Sequence, residues 1–483
     1  MKPVSMRTLA FAAALTGLAA PALAAELSPQ AKAQITGAVE RNQPALDHAA
    51  LEIWKFAELG YQETQSSTLL QGQLRDAGFT VTPGIANEPT AFLASFKTGA
   101  GPVIAVLAEY DALPGLSQTL NPVQESAGGH AGHGCGHNLF GAASVHAAIA
   151  VKEWMVANNI KGELRVYGTP AEEGGSGKVY MVRDGLFDDV DVSLHWHPGN
   201  VNSARQGDTM ANVSGKFRFY GTASHAAAAP DKGRSALDGV EAMNAMVNLM
   251  REHVPDRTRI HYAITDGGKA PNVVPAYAEA YYYVRHNNPE IVRDVLERVK
   301  LAADGAALGT GTRVEFEAIG GVYSMLPNEA LMTVMDRNLR SVGGITWTPE
   351  EIALATEIQK TLTTKPDLAG VGQIEDAVIG GDFGGSTDVS DVSWVTPTVG
   401  LSTATFVPGS AGHSWQNVVA AGSTIGLKGA HLAAKTLALT TAELFQSPET
   451  IAAAKAEFEQ RRGPNFQYRA LLGDRAPALN YRD

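Results

Sequence analysis

The chain has 483 residues, more than a single compact hydrophobic core usually serves, so we expect two domains. Hydrophobic residues make up 45% of the sequence and charged residues 18%, proportions that are ordinary for a globular protein. The formal net charge of -12 argues against nucleic acid as a partner, because nucleic-acid-binding surfaces are rich in lysine and arginine.

Residues 1–25 have the pattern of a secretory signal peptide. Lys2 and Arg7 provide a positive start, residues 9–20 are apolar, and residues 22–24 match a small-x-small cleavage pattern. We therefore predict a periplasmic or secreted protein. No later run of about 18 or more apolar residues follows, so no membrane-spanning segment is predicted.

Helical and strand-like stretches alternate along residues 26–207. Residues 28–59 have a helical spacing of apolar positions, whereas residues 102–107 and 162–169 are short apolar runs typical of buried strands. Because strand and helix follow each other in turn, we predict an α/β domain with a mostly parallel sheet covered by helices. Ligand sites in such sheets lie beyond the carboxyl ends of the strands.

The pattern changes between residues 208 and 322. Two strand-helix-strand units in this stretch predict a smaller α+β domain inserted into the larger one. The chain then returns to the first domain, so residues 26–207 and 323–447 together are predicted to form the larger domain. Residues 448–483 are predicted to be a C-terminal tail that carries a helix and then a polar end.

The densest chemical signal is a glycine-rich stretch that contains three histidines and the only cysteine of the chain. His130, His133, Cys135 and His137 lie within eight residues. Thiolate and imidazole groups two residues apart can bind one metal centre, because Gly136 lets the backbone turn sharply between them. We predict a metal site here in preference to a structural histidine-rich loop.

Two adjacent carboxylates, Glu172 and Glu173, follow another strand-like run. One of them can bind a metal ion while its neighbour acts as general base toward water. Adjacent glutamates also occur on ordinary surfaces. Here Pro170 before the pair and the glycines after it disfavour the alternative of a plain helix face.

Three further histidines can complete a metal site. His195 and His197 lie on one face of a strand, so both can approach one site, although a strand-end histidine can also simply pack in the core. His413 follows a Gly–Ser loop near the end of the larger domain. The predicted ligand set is Cys135, His137, Glu173, one of the two strand histidines, and His413.

This donor set suits two divalent ions. Imidazole, thiolate and carboxylate ligands favour zinc or manganese, with cobalt or nickel as further possibilities. Five such ligands and one bridging oxygen would hold two ions about 3.5–4 Å apart, a geometry that activates water for hydrolysis.

These motifs, in this order, resemble those of the M20 metallopeptidases, in particular the branch of auxin-conjugate and aminobenzoyl-glutamate amidohydrolases. The resemblance covers nearly the whole chain after residue 25. The matching stretches are residues 108–114, 133–138, 170–173, 196–198, 221–226, 272–275, 284–285 and 412–414.

The resemblance implies a metal-bearing α/β domain and an inserted lid domain that usually forms a homodimer. Glu172 matches the general base of the family, and Asp111 is expected to orient a metal ligand. The strand ligand is His195 or His197, and the Trp-His-Pro sequence around the second favours His197. The remaining matches to family metal ligands are Cys135, His137, Glu173 and His413.

Three residues of the inserted domain match substrate-contacting positions of the family. His225 corresponds to a histidine that reaches the site of a neighbouring subunit and helps to stabilise the oxyanion. Arg285 and Asn272 correspond to residues that hold the substrate carboxylate, where a guanidinium can bind both oxygens. The alternative for Arg285 is an ordinary charge at a strand edge.

The implied function is metal-dependent hydrolysis of N-acyl or N-aroyl amino acids, with a small carboxylate-bearing amide as substrate and Glu172 as general base. A dipeptidase or aminopeptidase of the same fold is the alternative. A non-catalytic binding protein is a further one, but the full set of ligands and the general base argue against it.

Overall fold

The computed structural model describes residues 26–382 and 385–482. The predicted signal peptide at residues 1–25 lies outside the described residues. The strands are β1 (Thr80–Pro83), β2 (Phe92–Lys97), β3 (Val103–Ala108), β4 (Leu113–Pro114), β5 (Ala131–Gly132), β6 (Glu163–Gly168), β7 (Val192–Gly199), β8 (Gln206–Asp208), β9 (Ala211–Tyr220), β10 (Arg259–Asp266), β11 (Tyr277–His286), β12 (Arg313–Val322), β13 (Ile379–Asp382) and β14 (Thr398–Ala404). The α-helices are α1 (Pro29–Phe56), α2 (Thr64–Asp76), α3 (His137–Ala157), α4 (Gly177–Arg183), α5 (Ala236–Met250), α6 (Pro289–Thr310), α7 (Glu329–Val342), α8 (Pro349–Lys360), α9 (Val389–Ser393), α10 (Trp415–Ala421), α11 (Thr424–Gln446) and α12 (Pro448–Arg462).

The larger domain is built on a six-stranded sheet with the order β1-β2-β6-β3-β7-β14. The pairs β6–β3, β3–β7 and β7–β14 are parallel, whereas β1 and β2 add an antiparallel edge. The predicted α/β architecture with a mostly parallel sheet is therefore confirmed. Helices pack on both faces, which is why the central strands read as continuous apolar runs rather than alternating ones.

Strand β3 shows how the two faces are filled. Ile104, Val106 and Ala108 face the core that contains α1, α3 and α11, while Ala105 and Leu107 face the smaller core under α4 and α9. Successive side chains of a strand point to opposite faces, so each face receives every second residue.

Helix α3 runs through the centre of the larger core. It begins after Gly136, which has a φ of +77° that only glycine adopts without strain, and 21 residues follow in helical conformation. Among the described helices it is the one that is long and apolar enough to cross a membrane by length and composition. However, 83% of its most apolar window is buried inside the protein.

The inserted domain is an antiparallel four-stranded sheet with the order β10-β11-β9-β12. Helices α5 and α6 pack on it around Phe217, Phe219 and Val299, and each helix has a side-chain N-cap, Ser235 and Asn288 respectively. The predicted α+β domain is confirmed, and its boundaries at residues 208 and 322 stay predictions. Strand β10 forms the outer edge of the sheet, and most of its residues are exposed.

The predicted tail contains the expected helix, α12, but the residues after it do not extend into solvent. Leu471 and Leu472 are buried, and Tyr323, directly after β12, donates a hydrogen bond to the carbonyl oxygen of Arg469 at 2.8 Å. The sequence shows no periodicity over this stretch, because its contacts are made one residue at a time with distant parts of the chain.

Candidate metal centre and active site

The predicted site residues of the larger domain gather at the carboxyl ends of the central strands. Asp111 follows β3, Glu172 and Glu173 follow β6, and His197 lies near the end of β7. The loop before α3 brings Cys135 to the same edge. The expectation that the site lies at this edge of the sheet agrees with the geometry.

Two groups of side chains have their potential ligand atoms within 4.8 Å of one another, and both groups contain Cys135. In the first, Cys135 Sγ is 3.5 Å from His197 Nε2, and the ring centroids of His197 and His137 are 5.7 Å apart. In the second, His413 Nε2 is 3.1 Å from Glu173 Oε1. Two ligand groups that share one donor residue suit a pair of neighbouring metal ions.

Asp111 contacts one residue of each ligand group, His137 in the first and Glu173 in the second. Its Oδ1 lies 2.8 Å from His137 Nδ1, and its Oδ2 accepts a hydrogen bond from the backbone N–H of Glu173 at 2.9 Å. The other ring nitrogen, His137 Nε2, is buried and lies 3.1 Å from Glu109 Oε2. Because Asp111 contacts Nδ1, Nε2 is the nitrogen that can bind a metal ion. Although burial works against ionisation of Asp111, the His137 ring holds the pKa of Asp111 below its usual value.

The two strand histidines have different surroundings. His197 belongs to the ligand group, whereas His195 lies deeper in the sheet, where a Cβ added to Gly400 would be only 2.2 Å from its Nε2. Burial lowers the pKa of His195 to about 3, so the ring is neutral. The two residues share a face, but two residues along a strand are about 6.5 Å apart, so only the later one reaches the strand end.

Glu172 lies in a third group, in which ligand atoms of Glu109, His137 and Glu172 are within 4.8 Å of one another. Burial, followed by the nearby carboxylates of Glu173 and Glu109, raises the pKa of Glu172 well above its usual value. A carboxylate that takes up a proton this readily has the property required of a general base that later acts as an acid.

A buried ion-pair network adjoins this group, and the sequence did not indicate it. Lys178 Nζ is 2.7 Å from Glu109 Oε1 and 2.7 Å from Asp388 Oδ1, and all three side chains are almost completely buried. Glu109 Oε2 in turn lies 3.1 Å from His137 Nε2. The available signal was a lysine within the apolar start of α4 and a glutamate directly after a buried strand.

The other histidines of the glycine-rich stretch are not part of the ligand groups. His133 Nε2 pairs with the carbonyl oxygen of Ile53 at 2.9 Å, and burial lowers the pKa of His133 to about 3. His130 is exposed. The stretch therefore contains one buried structural histidine, His133, and one surface histidine, His130, beside the candidate ligand His137.

The residues fit a cationic group. Burial and the neighbouring Glu173 raise the pKa of the Cys135 thiol, so a bound cation is what would favour the thiolate. Four carboxylates and three imidazoles around one thiol form a donor set typical of transition-metal sites. These donors are Glu109, Asp111, Glu172, Glu173, His137, His197 and His413.

The predicted site residues of the inserted domain are placed differently. His225 is exposed, and its Nδ1 accepts hydrogen bonds from the N–H groups of Ala227 and Ala228 at 3.2 and 3.1 Å. In the neutral ring the proton is therefore on Nε2, which is left as a donor. Asn272 is also exposed and lies on the adjacent segment, where its backbone carbonyl oxygen accepts a hydrogen bond from the N–H of Ala226 at 3.0 Å.

Arg285 lies on β11, with its guanidinium carbon 5.1 Å from the centre of the Tyr283 ring. Its Nε is buried and has no hydrogen-bond partner within the described residues. Neither His225 nor any other residue of the inserted domain belongs to the ligand groups found among the described residues.

A parallel sheet with thiolate, imidazole and carboxylate donors at its strand ends, together with an inserted α+β domain, defines a two-domain metallohydrolase. Residues 210–310 match the family model of a peptidase dimerisation domain. The chain is 41% identical over 456 residues to one of the subunits of the p-aminobenzoyl-glutamate hydrolase of Escherichia coli (strain K12), covering 88% of this chain and 94% of that one. It is 30% identical over 447 residues to the Xaa-Arg dipeptidase of Mus musculus, covering 90% and 92%.

Solved structures share the fold at low sequence identity. An aminobenzoyl-glutamate utilization protein from Klebsiella pneumoniae superposes with a TM-score of 0.61 at 19% identity, covering 85% of this chain and 98% of that one. A dinuclear metal-binding peptidase of the M20 family from Bacillus subtilis gives a TM-score of 0.57 at 18% identity, covering 84% and 99%. The chain belongs to the M20 family, and it is a metal-dependent amidohydrolase or peptidase of that family.

Proposed function

We propose that the protein hydrolyses the amide bond of N-acyl or N-aroyl amino acids, including compounds like aminobenzoyl-glutamate. The observation that carries this proposal is the pair of ligand groups that share Cys135, with Glu172 beside them. The relative with 41% identity is named for hydrolysis of p-aminobenzoyl-glutamate, which supports an aroyl-amino acid as substrate.

We propose that the protein binds two divalent ions, with zinc or manganese preferred. The proposed ligands are Cys135, His137, Glu173, His197 and His413. When bound there, the ions would polarise the scissile carbonyl and lower the pKa of water. Asp111 fixes the relative positions of the His137 ring and the Glu173 backbone, because one carboxylate oxygen contacts each of them.

Glu172 is the proposed general base. It accepts a proton from the attacking water and then passes it to the nitrogen of the leaving amine. Its pKa, raised by burial and by Glu173 and Glu109, favours proton uptake at a carboxylate oxygen.

The inserted domain is proposed to recognise the rest of the substrate. Arg285 offers a guanidinium to the substrate carboxylate, and the exposed Asn272 offers an amide. His225 Nε2 is the proposed donor to the oxyanion that forms as water attacks the carbonyl.

A homodimer is the proposed assembly, since the match to a peptidase dimerisation domain covers residues 210–310 of the inserted domain. Strand β10 offers an exposed edge, and large apolar side chains of the two helices are exposed, with Leu249 at 74%, Leu301 at 68% and Leu308 at 86% exposure. The basic and apolar pattern of residues 1–25 supports export to the periplasm or beyond as a further proposal.

A dipeptidase is the second candidate, because the mouse relative with 30% identity is an Xaa-Arg dipeptidase. A dipeptidase has to accommodate a free α-amine, whereas an amidohydrolase binds an uncharged acyl or aroyl group at the same place. Acylated and free substrates therefore separate the two candidates.

The test is hydrolysis of a small panel by the metal-loaded protein, with and without chelator. The panel contains p-aminobenzoyl-glutamate, N-acetyl and N-benzoyl amino acids, and free dipeptides. We expect chelator-sensitive cleavage of the acylated compounds. Cleavage of free dipeptides alone would move the protein to the dipeptidase candidate, and no cleavage by metal-loaded protein would overturn the proposal.

A further inference from the structure

The segment of residues 463–482, which we term the C-terminal strap, is fastened to both domains. On the inserted domain, Arg475 donates to the carbonyl oxygens of Ala318 and Ile319, at the irregularity of β12. On the larger domain, Arg183 of α4 donates to the carbonyl oxygens of Gly473 and Arg475 at 3.2 and 2.6 Å. The strap thus crosses the junction between the domains.

Its last described residues reach the metal centre. The Tyr481 hydroxyl donates a hydrogen bond to the carbonyl oxygen of Glu173 at 3.2 Å, and the Arg482 guanidinium donates to the same oxygen. On the other side, the N–H of Glu173 donates to Asp111 at 2.9 Å. Both backbone polar groups of Glu173 are therefore held by residues far away in the sequence.

The turn that carries Glu172 and Glu173 needs such external support. Ala171, just before the pair, has a φ of +56°, a left-handed conformation that an alanine adopts only when its surroundings enforce it. Its N–H donates to the buried Glu63 at 2.8 Å. A turn held in this conformation relaxes when its hydrogen bonds are removed, and the carboxylates it carries then move with it.

Two tyrosines support the turn from the side of the strap. The Tyr61 hydroxyl donates to the carbonyl oxygen of Gly175 at 3.0 Å. The rings of Tyr61 and Tyr481 meet edge to face with centroids 5.7 Å apart. The strap therefore completes a set of side chains that fixes the turn at Glu173 and Gly175 together.

We propose that Tyr481 and Arg482 are positioning residues of the active site, which hold the turn so that Glu172 and Glu173 keep their places at the metal centre. The expected effect on catalysis rests on the proposed function. The expected effect on metal binding rests only on the geometry of the ligand groups. Neither residue needs to touch substrate, because both act through the carbonyl group of Glu173.

The test combines zinc affinity with kinetics. Zinc affinity is measured by competition with a chromophoric chelator, and kcat and KM are measured on the best amide of the panel. For Tyr481→Phe combined with Arg482→Ala we expect zinc affinity and kcat each to fall by about 10- to 100-fold, the range for groups that orient metal ligands. KM should change less than threefold, and restoring the charge with Arg482→Lys should recover part of both losses.

Tyr468→Phe is the matched control, because it removes another tyrosine hydroxyl of the strap, one that donates to Asp391 at 2.7 Å away from the turn. It should lower thermal stability at most and leave zinc affinity unchanged. Wild-type zinc affinity in the double variant, or an equal loss in the control, would overturn the proposal. If the double variant does not fold, Tyr481→Phe alone decides by the same criterion. If the wild-type protein cleaves no amide, the proposed function fails and the zinc measurement still decides this inference.

Discussion

The two domains present their functional side chains in opposite ways. In the larger domain most of these side chains are buried or half-buried and contact one another, as Lys178 contacts Glu109 and Asp111 contacts His137, while His413 is exposed. In the inserted domain His225 and Asn272 are exposed. The comparison indicates that the fold of the larger domain organises the metal centre in advance, whereas substrate recognition depends on where the inserted domain, or that of a second copy, is placed.

The largest expected effect comes from breaking the buried network. Lys178→Met leaves Glu109 and Asp388 buried without their common cation, so we expect the free energy of unfolding to fall by about 3–5 kcal/mol. Urea unfolding of the metal-free protein measures this change. Lys365→Met, at an exposed position, is the control and should change stability by less than about 0.5 kcal/mol. A loss below about 1 kcal/mol for Lys178→Met would show that the network is not needed for stability.

The next effect separates the two histidines of β7. His197→Ala should remove bound metal and lower turnover by about 10³-fold or more, because a metal ion provides several kcal/mol of transition-state stabilisation. His195→Ala should keep the metal and lose mainly stability, since this ring fills space against Gly400. Metal content by elemental analysis and turnover are measured on both variants. The opposite pattern would assign the ligand role to His195.

A smaller effect is expected from the inserted domain. His225→Ala should lower kcat by about 10²-fold through loss of one oxyanion donor, with metal content unchanged. His253→Ala, at another exposed histidine of the same domain, serves as the control and should behave as wild type. Unchanged kcat in His225→Ala would remove this residue from the mechanism and leave catalysis to the larger domain alone.

The sequence predicts what depends on local pattern and residue type. Alternating strands and helices indicated the α/β sheet and the inserted α+β domain. The glycine-rich stretch around Cys135 and the adjacent Glu172 and Glu173 indicated chemistry, because few other roles suit those residues together. The strand histidines stayed ambiguous because residues two apart on a strand share a face, and only their depth in the sheet distinguishes them.

Contacts between distant parts of the chain could not be predicted from local sequence patterns. Lys178 and Asp388 are 210 residues apart, and Glu173 and Tyr481 are 308 residues apart. No periodicity links such positions, because their proximity arises only when the larger domain closes around α4 and the strap returns to the site. The buried network and the strap are therefore findings of the structure.

The central claim is tested most directly by Glu172→Gln, with metal content and turnover measured on the same sample. Glutamine keeps the size of the side chain and removes its ability to accept a proton. We predict wild-type metal content together with a fall in turnover of about 10²- to 10⁴-fold, the range for general acid–base catalysis. Near-normal turnover at full metal content would contradict the assignment of Glu172 as general base and, with it, the proposed mechanism.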